Sequence, residues 1–598
     1  MSKFQSKEQW NSLKRLLSYS KPYKKQIIGA FFLLLVTTAG QLAGPYFVKV
    51  FIDEYLTPNT FPFQPLVWLA TAYLVTHVIS VFADYFQLYI FQTTALKVIH
   101  ALREDVFKHV HKLGLRYFDQ TPTGALVSRI TNDTEAIKEL FVSVLSTFMK
   151  NIVFLSGIFV AMFLLNARLA LFTILLLPLL YGLMATYRRL SSVYFYTLRE
   201  RLSQLNAKMS ESLQGMSMVQ IFHQEKRLRD EFAAINDAHY EAGMKGIKLD
   251  GLLLRPAVDL LYLLAIMLVL SFFGFQSFES AVEIGVLYAF INYLERFFEP
   301  VNQMMMRLSI LQQALVAGTR VFQLLDEDDY APSFQAGKQT ITDGEIEFRN
   351  VSFSYDGKTD VLKNISFTAK PSQTVAIVGH TGSGKSSIIN LLMNFYPGSR
   401  GEILIDGVPL QSLNEKSYRD QVGLVLQDAF LFAGTIEDNI KMYSHDFERK
   451  DVKEAAEFVQ IHDMIEKLPN GYEYEVNEGG STFSSGQRQL ISFARTMVRK
   501  PKILVLDEAT ANIDTETEEK IQAALKRMRK GRTTIAIAHR LSTIQDADEI
   551  IVLHRGEIIE RGTHEQLLQK KNQYYHMYLM QQGQSEELVQ EFKESNIR

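Results

Sequence analysis

Hydrophobic residues are spread unevenly along this chain. Before residue 326 they form long runs without Lys, Arg, Asp or Glu; beyond it they form short β-branched runs between helical patterns. Gln26 to Val48 and Phe61 to Ala83 are two such uncharged runs. Asn151 to Ala167 and Leu169 to Tyr187 are two more, split only by Arg168, and Leu260 to Phe278 is a fifth. About 20 residues at ~1.5 Å rise cross a bilayer core, so each run predicts a spanning helix. A sixth is weaker, because Ile284 to Leu294 lies between Glu283 and Glu295. A helix that lines a polar cavity tolerates charged ends, and an even number of spans brings the chain back to its starting side. The predicted spans are therefore 26–50, 61–84, 145–167, 168–188, 256–278 and 281–301, within a membrane domain of residues 1–325.

The segments between the spans give an orientation. The amino terminus, 97–150 and 188–255 are basic, whereas 51–65 and 276–283 contain no Lys or Arg. The positive-inside rule places the amino terminus and both long segments in the cytoplasm, with the membrane being the cytoplasmic one. The first apolar run is too long for a signal-peptide core and reads as a retained helix. Both long segments are rich in helix formers, and each contains a turn, at Asp119–Gly124 and at Gln214–Met218. Each predicts a helical hairpin whose tip reaches a cytoplasmic domain.

Composition adds limits. Lys+Arg total 63 and Asp+Glu 65, so there is no global charge argument for a nucleic-acid partner. With no cysteine, disulfides, thiol nucleophiles and Cys-ligated metals are excluded. Some intramembrane residues admit two readings. Asp259 lies four residues after Arg255, as a functional acid or an i,i+4 ion pair. His77 and Asp84 line a cavity or lie at its ends. Met304, Met305 and Met306 form an adaptable surface or, pointing three ways from one helix, ordinary packing.

Residues 326–343 are polar and read as a linker, followed by an α/β domain over 344–582 and a charged tail over 583–598. Thr374 to Val378 is a buried-strand pattern. It leads into Gly379-His380-Thr381-Gly382-Ser383-Gly384-Lys385-Ser386, then Ser387 and an apolar helix. Strand, glycine-rich turn and helix are the setting of a P-loop. Its backbone N–H groups and helix amino terminus cradle phosphate. Lys385 is placed to neutralise the β- and γ-phosphates of ATP, and Ser386 to ligate Mg²⁺. Ile503 to Leu506 is a second apolar strand ending in Asp507 and Glu508. Two carboxylates at a strand end are costly unless a cation or substrate uses them. Asp507 suits Mg²⁺, and Glu508 suits the group that orients or deprotonates the attacking water.

With these motifs in order, the chain resembles the ATP-binding-cassette (ABC) transporters, over nearly its whole length. By that resemblance Tyr355 is the aromatic that stacks on adenine. Gln427 is the glutamine that reaches Mg²⁺ and senses the membrane domain. Ser484, Ser485, Gly486 and Gln487 lie in the signature that closes on ATP held by a partner subunit. Asp514 is the D-loop acid, and His539 is the switch residue at the γ-phosphate. The membrane-first order resembles type IV exporters: a six-span α-helical domain followed by an α/β P-loop ATPase, with the two hairpin tips as coupling helices.

One departure matters. The family signature reads Leu-Ser-Gly-Gly-Gln, and here Phe483 and Ser485 replace the Leu and the first Gly. A Cβ at Ser485 crowds an approach that glycine permits. A complete P-loop, Glu508 and His539 beside an altered signature resemble the hydrolysing half of bacterial heterodimeric multidrug exporters. The expected partner is a second half-transporter with a degenerate Walker B strand, and the expected cargo a small hydrophobic or amphipathic molecule. A homodimeric lipid flippase or peptide exporter is the alternative. A peptide exporter with an amino-terminal protease is excluded by the short leader and the missing Cys nucleophile. The apolar spans count against a soluble ABC ATPase acting on DNA or ribosomes.

Overall fold

The computed structural model describes residues 3–174, 176–253, 255–278, 283–334, 337–398, 400–507, 515–538 and 541–582. The expected tail over 583–598 lies outside them. The chain forms two compact units. One holds Met1–His111 and Thr121–Asp328, and the other holds Lys112–Gln120 and Asp329–Arg598.

The first unit is helical. Its helices are α1 (Lys3–Ser18), α2 (Lys24–Phe51) and α3 (Phe63–Val110). After short turns of helix come α5 (Ser146–Leu165) and, past a helix over Ala167–Ile174, α6 (Leu176–Gln214). Then follow α7 (Met216–Ile221), α8 (Glu225–Leu253), α9 (Arg255–Gln276) and α10 (Ile284–Leu325). The label α4 is kept for Leu115–Gln120, which clusters with the other unit. Among the described residues, four helical stretches are long and apolar enough to cross a membrane: Lys21–Leu56, Phe63–Val110, Thr123–Leu165 and Glu225–Gln276. Lys21–Leu56 contains the expected span 26–50, and the other three overlap the expected spans 61–84, 145–167 and 256–278, each of which runs two residues past its helical stretch. The expected spans 168–188 and 281–301 fall mainly in α6 and α10, which also carry charge, such as Arg189 and Glu299.

Backbone polar groups inside this bundle are satisfied locally, as a bilayer requires. Pro45 lies within α2 and has no N–H for the carbonyl of Gln41. Arg296 donates to that carbonyl at 3.1 Å. One residue on, the buried Tyr293 hydroxyl donates to Leu42 O at 2.6 Å. Asp84 on α3 accepts from Lys150 on α5 at 2.9 Å, so this acid is paired between helices. His77 instead stacks on Tyr73, with ring centroids 4.4 Å apart. Met305 is buried, Met304 half-buried and Met306 exposed, so the three side chains point different ways from one helix. The side chain of Arg255 lies outside the described residues, so the Asp259 pairing is not described.

Where α2 meets α10, the Asp53 carboxylate accepts the Gly285 N–H at 2.7 Å. It thereby serves a free donor at the start of α10. Lys49 stands 3.5 Å from the other Asp53 oxygen. A Cβ on Gly285 would come within 2.5 Å of Lys49 O, so only glycine permits this approach.

The second hairpin is α6 against α8. Tyr187 bonds Asp250 at 3.0 Å, and Lys208 pairs with Glu231 at 2.6 Å. These pairs step evenly inward towards α7, which is the tip and starts inside the predicted turn. Chain reversal is completed at 222–224, where His223 has φ 49°.

The second unit has two larger sheets and a two-stranded ribbon that pairs Gly434–Thr435 with Glu475–Val476. Its strands are β1 (Ile346–Phe353), β2 (Leu362–Ala369), β3 (Thr374–Val378), β4 (Arg400–Ile405), β5 (Val408–Pro409) and β6 (Val422–Val425). Four more belong to the larger sheet: β7 (Ile503–Asp507), β8 (Thr533–Ile537), β9 (Glu549–His554) and β10 (Glu557–Gly562). The smaller sheet has order β2-β1-β4-β5, and the larger β10-β9-β3-β8-β7-β6. In the larger, β9, β3, β8, β7 and β6 run parallel, and β10 closes the edge antiparallel. All five residues of β3 and all five of β8 are buried, as strands covered on both faces must be.

The segment Lys112–Gln120 is tied to this unit by backbone. Gly114 N donates to Asp329 O at 2.8 Å, and Ala331 N to Lys112 O at 3.1 Å. The Tyr396 hydroxyl donates to Asp119 on α4. Burial and the Asp119 carboxylate push that hydroxyl well above the ordinary tyrosine range. The first predicted turn thus becomes α4 followed by Thr121-Pro122, rather than a tight reversal.

Candidate functional site

Parallel strands deliver their carboxyl ends to one edge of the larger sheet, where α/β folds bind ligands. Register fixes what arrives there. Ile377 pairs with Ile537, and Ile537 with Asp507. Leu506 pairs with Val425 on the next strand. Asp507 therefore stands two strands from the P-loop strand, about 10 Å at ~4.8 Å per strand. Gln427 is exposed two residues past the end of β6 on the same edge. Glu508 follows Asp507 and His539 follows Ala538 in sequence; both, with Asp514, lie outside the described residues.

The turn after β3 has the form of a phosphate cradle. Gly382 and Gly384 have φ of 83° and 102°, which glycine adopts without penalty. A Cβ on Gly384 would also meet Leu362 at 2.7 Å. The turn opens helix α11 (Lys385–Leu392). Lys385 is buried, and its ammonium donates to Gly379 O at 2.8 Å and His380 O at 3.1 Å. Ser383 Oγ is buried with no hydrogen-bond partner, a polar atom placed for a ligand oxygen. Ser386 is exposed in the first turn of α11. His380 and Thr381 are exposed on the turn, with His380 Nε2 3.0 Å from Gln573 Nε2. Helix dipole, free N–H groups, buried ammonium and orphaned hydroxyl together suit a polyphosphate. An Mg²⁺ ion would be held by Ser386 and Asp507, with Gln427 beside them.

Tyr355 is half-buried beside this cradle. Its ring packs edge-on to Phe353 at 4.7 Å and to Tyr396 at 4.9 Å. Its hydroxyl lies 3.0 Å from Ser387 Oγ and accepts from Asn390 at 3.2 Å. Ser387, expected at the ATP site, is buried against this hydroxyl. Tyr396 was not legible as a site residue, because nothing local in sequence joins it to Tyr355.

The signature segment begins α12 (Ser485–Met497). Ser484 is its cap: its Oγ accepts from Gln487 N at 3.2 Å, while Ser484 N donates to Gln487 Oε1 at 3.0 Å. This reciprocal capping box satisfies two helix-end donors. Ser484 and Ser485 are exposed, and Gly486 is buried. Phe483 is buried in the core against Tyr474, with rings 5.8 Å apart. Its substitution for Leu thus changes a core contact. Phe483→Ala should cost about 3–5 kcal/mol of stability, and Phe483→Leu under about 1.5. Denaturant unfolding checks this, and equal midpoints for the two variants would contradict the burial argument.

Sequence reading also missed Arg495. It lies on α12 and donates to Phe430 O at 2.9 Å and Asn439 O at 2.8 Å. Gln489 donates to Leu426 O at 3.2 Å. The signature helix thereby holds the strand end before Gln427. An arginine on the apolar face of a strongly amphipathic helix was the available signal.

Comparison with known proteins agrees with this architecture. Residues 27–301 match the ABC transporter transmembrane region, and residues 362–511 match the ABC transporter family model. The putative ABC transporter ATP-binding protein exp8 of Streptococcus pneumoniae is 44% identical, over 96% of this chain and 98% of its own. The probable multidrug resistance ABC transporter ATP-binding/permease protein YheH of Bacillus subtilis is 45% identical, over 86% of this chain and 76% of its own. The structure of a bacterial Atm1-family ABC exporter with ATP bound aligns with TM-score 0.77 and 30% identity. That alignment covers 94% of this chain and 99% of the other. A helical membrane domain followed by a P-loop ATPase, with whole-length relatives of the same order, makes the chain a member of the ABC transporter family, an exporter whose ATPase domain couples ATP hydrolysis to transport.

Proposed function

We propose that this chain is the hydrolysing subunit of a heterodimeric exporter in the cytoplasmic membrane, moving hydrophobic or amphipathic molecules outward. The observation that carries the reading is the pairing of a complete P-loop and strand-end acids with a signature altered at Ser485. The competent site joins this chain's Lys385, Ser386, Asp507, Glu508 and His539 to the partner's signature. Lys385 binds phosphate oxygens, Tyr355 receives the adenine, and Glu508 orients the attacking water. Mg²⁺ supplies charge neutralisation on the phosphates. Asp514 lies at the subunit joint in this scheme. ATP held between the two ATPase domains draws on α4 and α7, and release of phosphate lets them part. The amino terminus and ATPase domain face the cytoplasm, as the basic segments 97–150 and 188–255 imply.

Multidrug export is the reading of cargo that the relative YheH supports by its name. A homodimer is the second reading, and one observation favours it. Ser485 is the first residue of α12, and its φ is not positive, so a side chain is accommodated there without backbone strain. ATPase measurement on the chain purified alone separates the two. Little turnover alone, restored by a second half-transporter, is expected. Robust, ATP-cooperative hydrolysis by a homodimer would overturn the heterodimer.

A further inference from the structure

A cavity of about 930 Å³ opens in the helical unit, between α6 and α10. Its size lies within the range of about 300–1,000 Å³ typical of small-molecule sites. Its lining is divided by chemistry. Tyr181, Met184 and Leu308 supply an apolar part, while Arg189, Arg199 and Arg320 bring three guanidinium groups. Among the described residues, no Asp or Glu lines it.

The acids nearby are already engaged. Asp133 is buried and accepts from Arg320, leaving that guanidinium with further donors. Glu135 pairs with Arg103 and Lys138, and Asp250 accepts from Tyr187. Arg199 lies over the Phe195 ring at 5.4 Å, which holds its plane without neutralising it. No acidic partner of Arg189 or Arg199 occurs among the described residues.

Basic residues just beyond a span commonly anchor a helix at the bilayer surface. Two features distinguish these. The guanidiniums come from helices over a hundred residues apart in sequence and converge on one concave space. Moreover, along α6 the lining passes from Tyr181 and Met184, within the expected span 168–188, to Arg189 and Arg199 beyond it, where Phe195 and Tyr196 stand among the cationic groups. Tyr181 to Arg199 is about 27 Å of helix at ~1.5 Å per residue. The appearance of cations along α6 thus runs in the direction in which an amphiphile would lie, tail in the bilayer and head at its surface.

We infer that this cavity is a binding site for an amphiphile with an anionic head, such as a carboxylate or phosphate. Guanidinium groups bind such heads through paired, charge-assisted hydrogen bonds. The inference rests on the export reading above and narrows its cargo from amphipathic to anionic amphipathic. A single-chain acid and a bilayer phospholipid share this head chemistry.

The test uses the full chain in phosphatidylcholine nanodiscs, without nucleotide. The probes are a fluorescent hexadecanoate, its methyl ester and its trimethylammonium analogue. The carboxylate should bind at least about tenfold tighter than the other two. Arg189→Ala/Arg199→Ala should abolish that preference, and Arg189→Lys/Arg199→Lys should retain most of it, which excludes simple misfolding. Equal binding of the three probes, or a preference that survives the double alanine variant, overturns the inference. In phosphatidylglycerol nanodiscs, loss of hexadecanoate binding identifies a resident phospholipid, and retained binding a single-chain acid. Either result supports an anionic-head site. Because no ATP is present, failure here leaves the export reading standing; failure of ATP-dependent transport is read separately in proteoliposomes.

Discussion

Glu508→Gln is expected to cut ATP turnover by about 10²–10⁴-fold while leaving nucleotide affinity within a few fold. The amide has nearly the same volume and still offers an oxygen to water. It lacks the negative charge that makes water a better nucleophile and that accepts its proton. The neighbouring Asp507 does not replace it. Asp507 ends β7 in register with Ile537, and its place in the scheme is on the cation. Phosphate release and equilibrium nucleotide binding, measured on the same preparation with the companion subunit, give the two numbers. Wild-type turnover in the variant would remove Glu508 from its role as the water-orienting group.

Lys385→Ala is expected to fail one step earlier. The ammonium is buried and bonded to the carbonyls of Gly379 and His380, so the turn itself fixes its position. A hydrogen bond between charged groups contributes about 1.5–3 kcal/mol, so its loss should weaken ATP binding by about 10–150-fold. Removing it also strips two loop carbonyls of their donor, so a modest fall in melting temperature should accompany the lost affinity. Titration with a fluorescent ATP analogue distinguishes this variant from Glu508→Gln. Undiminished affinity in Lys385→Ala would mean that the turn is held for some other reason.

The contrast between these two variants reflects what was legible in the chain. The P-loop was readable because all its parts are local: a strand, three left-handed or near-left-handed glycines and a helix start within a dozen residues. Four spans were readable because length and hydropathy suffice. The weak sixth span falls in a helix that runs on to Leu325, far past any bilayer signal. Contacts between distant segments were not readable. Nothing near Asp119 in sequence announces Tyr396, and nothing near Asp84 announces Lys150. The signature shows a third case. Its Ser484-x-x-Gln487 spacing is also a helix-capping pattern, and the structure uses it as one. Sequence reading assigned those side chains to phosphate alone, because one motif carried two physical meanings.

The joint between Asp53 and Gly285 has an energetic asymmetry of its own. One Asp53 oxygen is spent on the helix start, while the other is buried without a hydrogen bond, its nearest cation being Lys49 at 3.5 Å. A shut contact that leaves a carboxylate oxygen under-served gives back hydration when it parts. The ends of these two helices are therefore fastened by a clasp that water helps to undo, and separating them costs less than the tight glycine packing suggests.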